Sequence, residues 1–152
     1  MPRYAIPLGT NVSLSAATAK TVAAFSVNST RRRRLLGFEL GFDSIDAEHN
    51  TVLYEIIRTD GNAAGTATSR TPVPLDGADA AALCSGFVNY TAEPTSVTVV
   101  REGRITPVGG GIIYPFEFLD AIVAGVANAL LGLRLTAAQA QSNIRGTLTY
   151  EE

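Results

Sequence analysis

Apolar and polar residues alternate with a period of two along much of the chain. The clearest case is its last nine residues. Ile144, Gly146, Leu148 and Tyr150 share one face, while Arg145, Thr147, Thr149 and Glu151 share the other. Successive side chains of a strand point to opposite faces, so this spacing predicts a half-buried antiparallel strand tied into a sheet. Residues 35–42 predict an inner strand with Leu36, Phe38, Leu40 and Phe42 on one face, and Leu35 among Gly37, Glu39 and Gly41 on the other. Further strands are expected at 4–8, 21–27, 51–59, 96–101, 112–114 and 130–136, with another apolar stretch at 116–123. Pro7 cannot donate to a ladder, which places the first of these at a sheet edge. Leu36, Phe38, Leu40, Leu133 and Leu148 are the expected core.

Between Ala63 and Pro94 the alternation dissolves into Pro72, Pro74, Pro94, several glycines and many Ala and Thr residues. A structureless stretch of that length is uncommon inside a domain and is usually functional, so it is read as a long contact loop. Residues 76–83 could hold a helical turn within it. Residues 119–140 are rich in Ala and Leu and could form a helix. Gly125, Gly132 and the alternation of Leu131, Leu133 and Leu135 favour strands. Seven to nine strands separated by turn signals imply an all-β fold, an antiparallel β-sandwich of the jelly-roll type, in one domain spanning 1–152.

Composition narrows the function. The chain of 152 residues is 46 % hydrophobic and only 17 % charged, which suggests surface covered by partners. A net charge of −2 lacks the basic footprint of a nucleic-acid binder. Arg occurs eleven times and Lys once, a bias suited to interface ion pairs and equally to a GC-rich coding sequence. Cys84 is the one cysteine, which leaves neither an intramolecular disulfide nor a cysteine metal cluster. The start has no apolar signal segment, and no apolar run reaches membrane-spanning length, so synthesis in a cytoplasm is expected.

Catalytic candidates are few. His49 lies beside Asp43, Asp46 and Glu48, but one His is a weak ligand set and a solvated acidic loop is the commoner outcome. Gly103 and Gly109 to Gly111 lack the residues and the context of a phosphate cradle. Glu39, Glu55 and Glu117 could converge as paired carboxylates, although strand-borne Glu more often faces solvent. Neither an enzyme activity nor a cofactor is expected.

Arg31-Arg32-Arg33-Arg34 is the conspicuous charge run. It leads straight into a strand, where Arg32 and Arg34 face one way and Arg31 and Arg33 the other. That geometry suits carboxylate pairing at the rim of a sandwich, within or between subunits, for example with Glu151-Glu152. It fits nucleic acid less well, because the overall charge offers no electrostatic funnel. Arg31, Arg32, Arg33 and Arg34, with Arg70, Pro72, Pro74 and Asp76 of the long loop, are the expected interface residues.

Several segments carry a resemblance: the Pro2-x-Tyr4-x-Ile6-Pro7-Leu8-Gly9 start, the Arg-rich entry at 31–42, and Asn50 to Ile57. The loop Gly65 to Asp76 with Thr71-Pro72-x-Pro74-Leu75-Asp76, then Glu93-Pro94-Thr95, Gly132-Leu133-Arg134-Leu135 and the closing Tyr150-Glu151-Glu152 complete it. The chain resembles small jelly-roll virion proteins of tailed bacteriophages that decorate or cement capsids, and departs from them over Ala121 to Leu131. The resemblance implies a virion location on the capsid surface, the major capsid protein as partner, and self-association as a homotrimer. Neither nucleic acid nor a membrane is expected as partner. A tail-associated receptor- or carbohydrate-binding sandwich is the alternative; the absence of Trp weighs against sugar recognition, for which Tyr54, Tyr90, Tyr114 and Tyr150 remain available.

Overall fold

The computed structural model describes residues 1–9, 12–27, 33–42, 51–59, 65–107, 111–115, 122–124 and 129–152. Among them there is no helix, and two antiparallel sheets pack face to face as a β-sandwich. The strands are β1 (Arg3–Pro7), β2 (Val12–Leu14), β3 (Ala19–Val27), β4 (Arg33–Gly41), β5 (Val52–Thr59) and β6 (Thr66–Arg70). They continue as β7 (Val73–Pro74), β8 (Gly86–Ala92), β9 (Val97–Ile105), β10 (Gly111–Pro115), β11 (Ile122–Ala124), β12 (Ala129–Ala137) and β13 (Gln141–Glu151).

The first sheet runs β10-β4-β13-β1-β7, with β11 also on β4 and β2 also on β13. The second runs β6-β8-β3-β12-β5-β9. The C-terminal strand thus lies inside a sheet: Tyr150 is opposite Tyr4 on one side and Leu35 on the other. The core between the sheets holds Ile6, Phe25, Leu35, Phe38, Leu40, Ile56, Leu131, Leu133, Leu135, Leu148 and Tyr150.

Four expectations change. The stretch from 63 to 94 is not one contact loop, because β6, β7 and β8 occupy much of it and β8 pairs with β3 in the second sheet. Residues 76–83 form turns and bends without a helix. Strand β1 is not an edge: β7 pairs with it at Tyr4 and Ala5, and Pro7 lies beyond the end of β7, where no donor is required on that side. Leu36 is only half-buried, whereas Leu35 is fully buried. The cause is a β-bulge: Thr149 faces Gly37 and Tyr150 faces Leu35, so Leu36 is the extra residue. A bulge places two residues against one and exchanges the faces beyond it. Phe38 and Leu40 point inward before the bulge, and Leu35 and Arg33 point inward after it. Where it is described, the ambiguous 119–140 segment forms β11 and β12 and then a bend at 138–139, without a helix.

Candidate functional site

The inverted face of β4 sets up the most unusual contact of the molecule. Arg33 is 0 % exposed, and its Nε donates to Glu152 Oε2 at 2.8 Å. A buried guanidinium is costly unless it is paired and hydrogen-bonded. Glu152 meets that need and does more: its Oε1 accepts the Leu83 N–H at 2.6 Å, and its own N–H donates to the Pro2 carbonyl at 3.1 Å. On the opposite face, half-exposed Arg34 reaches Glu151 at 3.4 Å. Pairing of Arg33 and Arg34 with the Glu152 and Glu151 carboxylates therefore occurs within the chain. Arg33 is not presented to a partner, contrary to its expected interface role.

Beside this ion pair the rings of Tyr4, Tyr150 and Phe25 form a stacked column, with centroids 5.5 Å and 4.5 Å apart. The Cys84 thiol and the Tyr150 hydroxyl are 2.8 Å apart, and the Tyr4 hydroxyl donates to the Ala80 carbonyl at 3.0 Å. Leu75 N–H donates to Arg3 O at 2.9 Å, and Ser26 N–H donates to Ser85 O at 2.9 Å. Together these bonds fasten residues 75–85 to β1, β3 and the C-terminal end. Excision of residues 70–79 is consequently expected to disturb the sandwich.

Burial pushes the Cys84 thiol and the Tyr4 and Tyr150 hydroxyls above their ordinary values, with the Glu152 charge acting in the same direction. Tyr90 is raised by burial and by Glu93. The unfolded chain releases these protons from about pH 9 for cysteine and about pH 10 for tyrosine, while the folded chain retains them. Stability is then fully present below about pH 9 and falls as pH rises further. In an alkaline titration followed by tyrosinate absorbance, Tyr4, Tyr90 and Tyr150 should ionise in one cooperative step together with unfolding. Gradual titration of every tyrosine at ordinary values, with the fold intact, would contradict this burial.

The remaining expected interface residues separate. Arg31 and Arg32 lie outside the described residues. Arg70 is half-buried at the end of β6, its guanidinium lying over Gly9 in the space that a Cβ there would occupy. Pro72 is buried, and Pro74 pairs with Tyr4. Asp76 is exposed, and its Oδ1 accepts the Ala78 N–H at 2.9 Å in a local turn. Glu93, of the Glu-Pro-Thr motif, binds β3 through the Thr21 N–H at 2.7 Å and the Thr21 hydroxyl at 2.6 Å.

What the fold does assemble here is an apolar edge. Val73, Leu75 and Leu83 are 51 %, 59 % and 60 % exposed, with Met1 at 69 %. Backbone bonds link Leu75 to Arg3 and Glu152 to Pro2, and the Glu152 carboxylate accepts from the Leu83 N–H, so these side chains line one rim around β7. Met1, Arg3, Leu75, Asp76 and Asp79 border a shallow cleft of about 510 Å³ in this rim. Sequence reasoning missed these residues because single apolar side chains in a Pro- and Gly-rich stretch carry no periodic signal. Among the described residues the other large exposed apolar side chains are Val99 and Val100 of β9.

Among the described residues, the catalytic candidates Glu39 and Glu55 are not brought together. Glu39 is exposed on the first sheet, and Glu55 is on the second, held by Arg134 through two bonds of 2.8 and 2.9 Å. That bidentate contact holds the Arg134 guanidinium above its ordinary pKa. Among the described residues no group of three potential metal ligands occurs. His49, Asp43, Asp46, Glu48 and Glu117 lie outside them. No protein-family model matches the chain, and no curated protein matches it.

Proposed function

We propose that the protein is a non-enzymatic structural component of a tailed-bacteriophage virion. In this reading it is a jelly-roll decoration or cement protein that binds the major capsid protein and strengthens the shell. The observation that carries the proposal is the apolar rim of Met1, Val73, Leu75 and Leu83. Large apolar side chains left exposed close together on one rim are a common mark of an interaction surface. Here the patch is held rigid by the bonds to Arg3, Tyr4, Tyr150 and Glu152, so little ordering entropy is lost on docking. Three copies around a local threefold axis, each engaging the shell weakly, would together bind strongly.

Leu75→Asp and Val73→Asp test the reading. Both side chains are more than half exposed, so the substitutions should leave the unfolding midpoint almost unchanged, as surface changes usually do. Capsid co-sedimentation should fall at least tenfold. Undiminished capsid binding by the double variant would remove the rim from the interface. A protein that neither binds nor stiffens capsids would bring the tail receptor- or carbohydrate-binding alternative forward.

A further inference from the structure

Among the described residues the second sheet ends in β9, nine residues long and open along one side. Thr98, Glu102 and Arg104 are exposed, as are Val99 and Val100 at 39 % and 41 %. Long open edges recruit further strands, and proteins normally blunt them with charges or bulges. Strand β9 has both devices. Ile56 faces Arg101 while Ile57 faces Val99, so Val100 is an extra residue that interrupts the regular edge. From Arg101 to Ile105 the register with β5 is unbroken.

The charges of Glu102 and Arg104 in that regular part are set against ill-matched neighbours on β5. Glu102 lies opposite Glu55, whose carboxylate is already taken by Arg134. Its cross-strand neighbour is therefore a like charge, which is unfavourable. Arg104 lies opposite Leu53, and its exposed guanidinium reaches the Thr51 hydroxyl at 3.2 Å. Gly103, between them, packs flat on the Tyr54 ring, where a Cβ would lie 2.6 Å from the hydroxyl oxygen.

We infer that β9 pairs antiparallel with β9 of a second copy, in a register centred on Gly103. In a twofold contact, residue i meets j and j meets i. Opposed side chains of an antiparallel pair also lie on the same face, so the axis must pass through a residue that faces its own copy. Centring on Arg101 or Arg104 sets two arginines face to face, and centring on Glu102 sets two glutamates face to face. Centring on Gly103 places Glu102 opposite Arg104 of the second copy, twice. It also joins the two six-stranded sheets into one continuous sheet. This edge is distinct from the β7 rim, which belongs to the other sheet, so shell binding and pairing do not compete. The inference does not depend on the shell reading.

The test is the mass of the full-length protein by light scattering over a concentration series. The native chain should contain an even number of copies: two, or six where pairs of threefold rings form. E102R alone sets two arginines against each other across the seam, and R104E alone sets two glutamates together. Each should halve the mass, raising the dissociation concentration at least tenfold. An equal mixture of the two variants restores both opposite-charge pairs and should recover the native mass, as should the E102R/R104E double variant. Recovery in the mixture also shows that the single variants are folded. An odd copy number, single variants that leave the mass unchanged, or a mixture that fails to recover would overturn the pairing. A simple trimer would do so while leaving the proposed shell role intact.

Discussion

Arg33→Met should lower the unfolding free energy by about 3–5 kcal/mol, the cost of leaving one partner of a buried ion pair behind. Arg33 is fully enclosed, and Glu152 is also buried beside it. Without the guanidinium the carboxylate must be buried uncompensated or protonated, or the end of β13 must open to water. Opening would also release the Leu83 N–H and loosen the segment that carries Leu83 and Cys84. Glu152→Gln should cost somewhat less, since an amide oxygen can still accept from Leu83 while the charge match is lost. The double replacement Arg33→Met/Glu152→Met removes both charges and should recover part of the loss, because apolar substitutes for a buried pair are often well tolerated. Recovery should be incomplete, because the Leu83 N–H then lacks its acceptor. Urea unfolding of these proteins together with the Glu152→Met single variant measures the coupling. A loss below about 1 kcal/mol for Arg33→Met would mean that the pair is not buried as described.

The consequences of this ion pair were partly legible in the chain. The Arg run and the terminal carboxylates stood out as complementary, and the alternation of residues 144–151 placed those carboxylates on a strand. The orientation of Arg33 was not legible. It depends on the bulge at Leu36, and a bulge is created by pairing between residues more than a hundred positions apart. In the doublet Leu35-Leu36 either residue suits an apolar face, so periodicity cannot choose between them. The long segment from 63 to 94 was misread for a related reason. Strand β6 is polar on both faces, β7 has two residues of which one is Pro74, and β8 is interrupted by Asn89 at a φ of 52°. None of these carries a clean period of two, and all are held by partners distant in sequence. The strands that did show alternation, such as β5, β12 and β13, bury one face against the opposite sheet. The apolar rim follows the same logic. Exposure of Leu75 and Leu83 is a property of the finished packing, and no local pattern encodes it.

Phe25→Ala should be as costly as loss of Arg33, at about 3–5 kcal/mol for a large core side chain reduced to a methyl group. Phe25 is 0 % exposed on β3 of the second sheet, and its ring stacks on Tyr150 of the first sheet at 4.5 Å with the planes 18° apart. The contact joins the two sheets directly behind the ion pair, and an aromatic pair contributes about 0.5–1.5 kcal/mol beyond the area it buries. Phe38→Ala provides the comparison. Its ring is 3 % exposed and meets Tyr54 at 5.2 Å in a tilted pair, also across the two sheets. That contact lies away from the C-terminal fastening, so Phe38→Ala should lower stability while leaving the proposed capsid binding by the folded protein unchanged. Phe25→Ala instead withdraws the support on which Tyr150 rests, and Tyr150 is bonded to Cys84 in the segment behind the apolar rim. It should therefore weaken capsid binding even where the protein remains folded, an effect that stability alone does not produce. The two variants would be compared at a temperature where both are folded, with urea midpoints and capsid co-sedimentation measured on the same samples. Equal binding by both would uncouple the core seam from the rim and leave the Arg33–Glu152 pair and the backbone bonds to hold it.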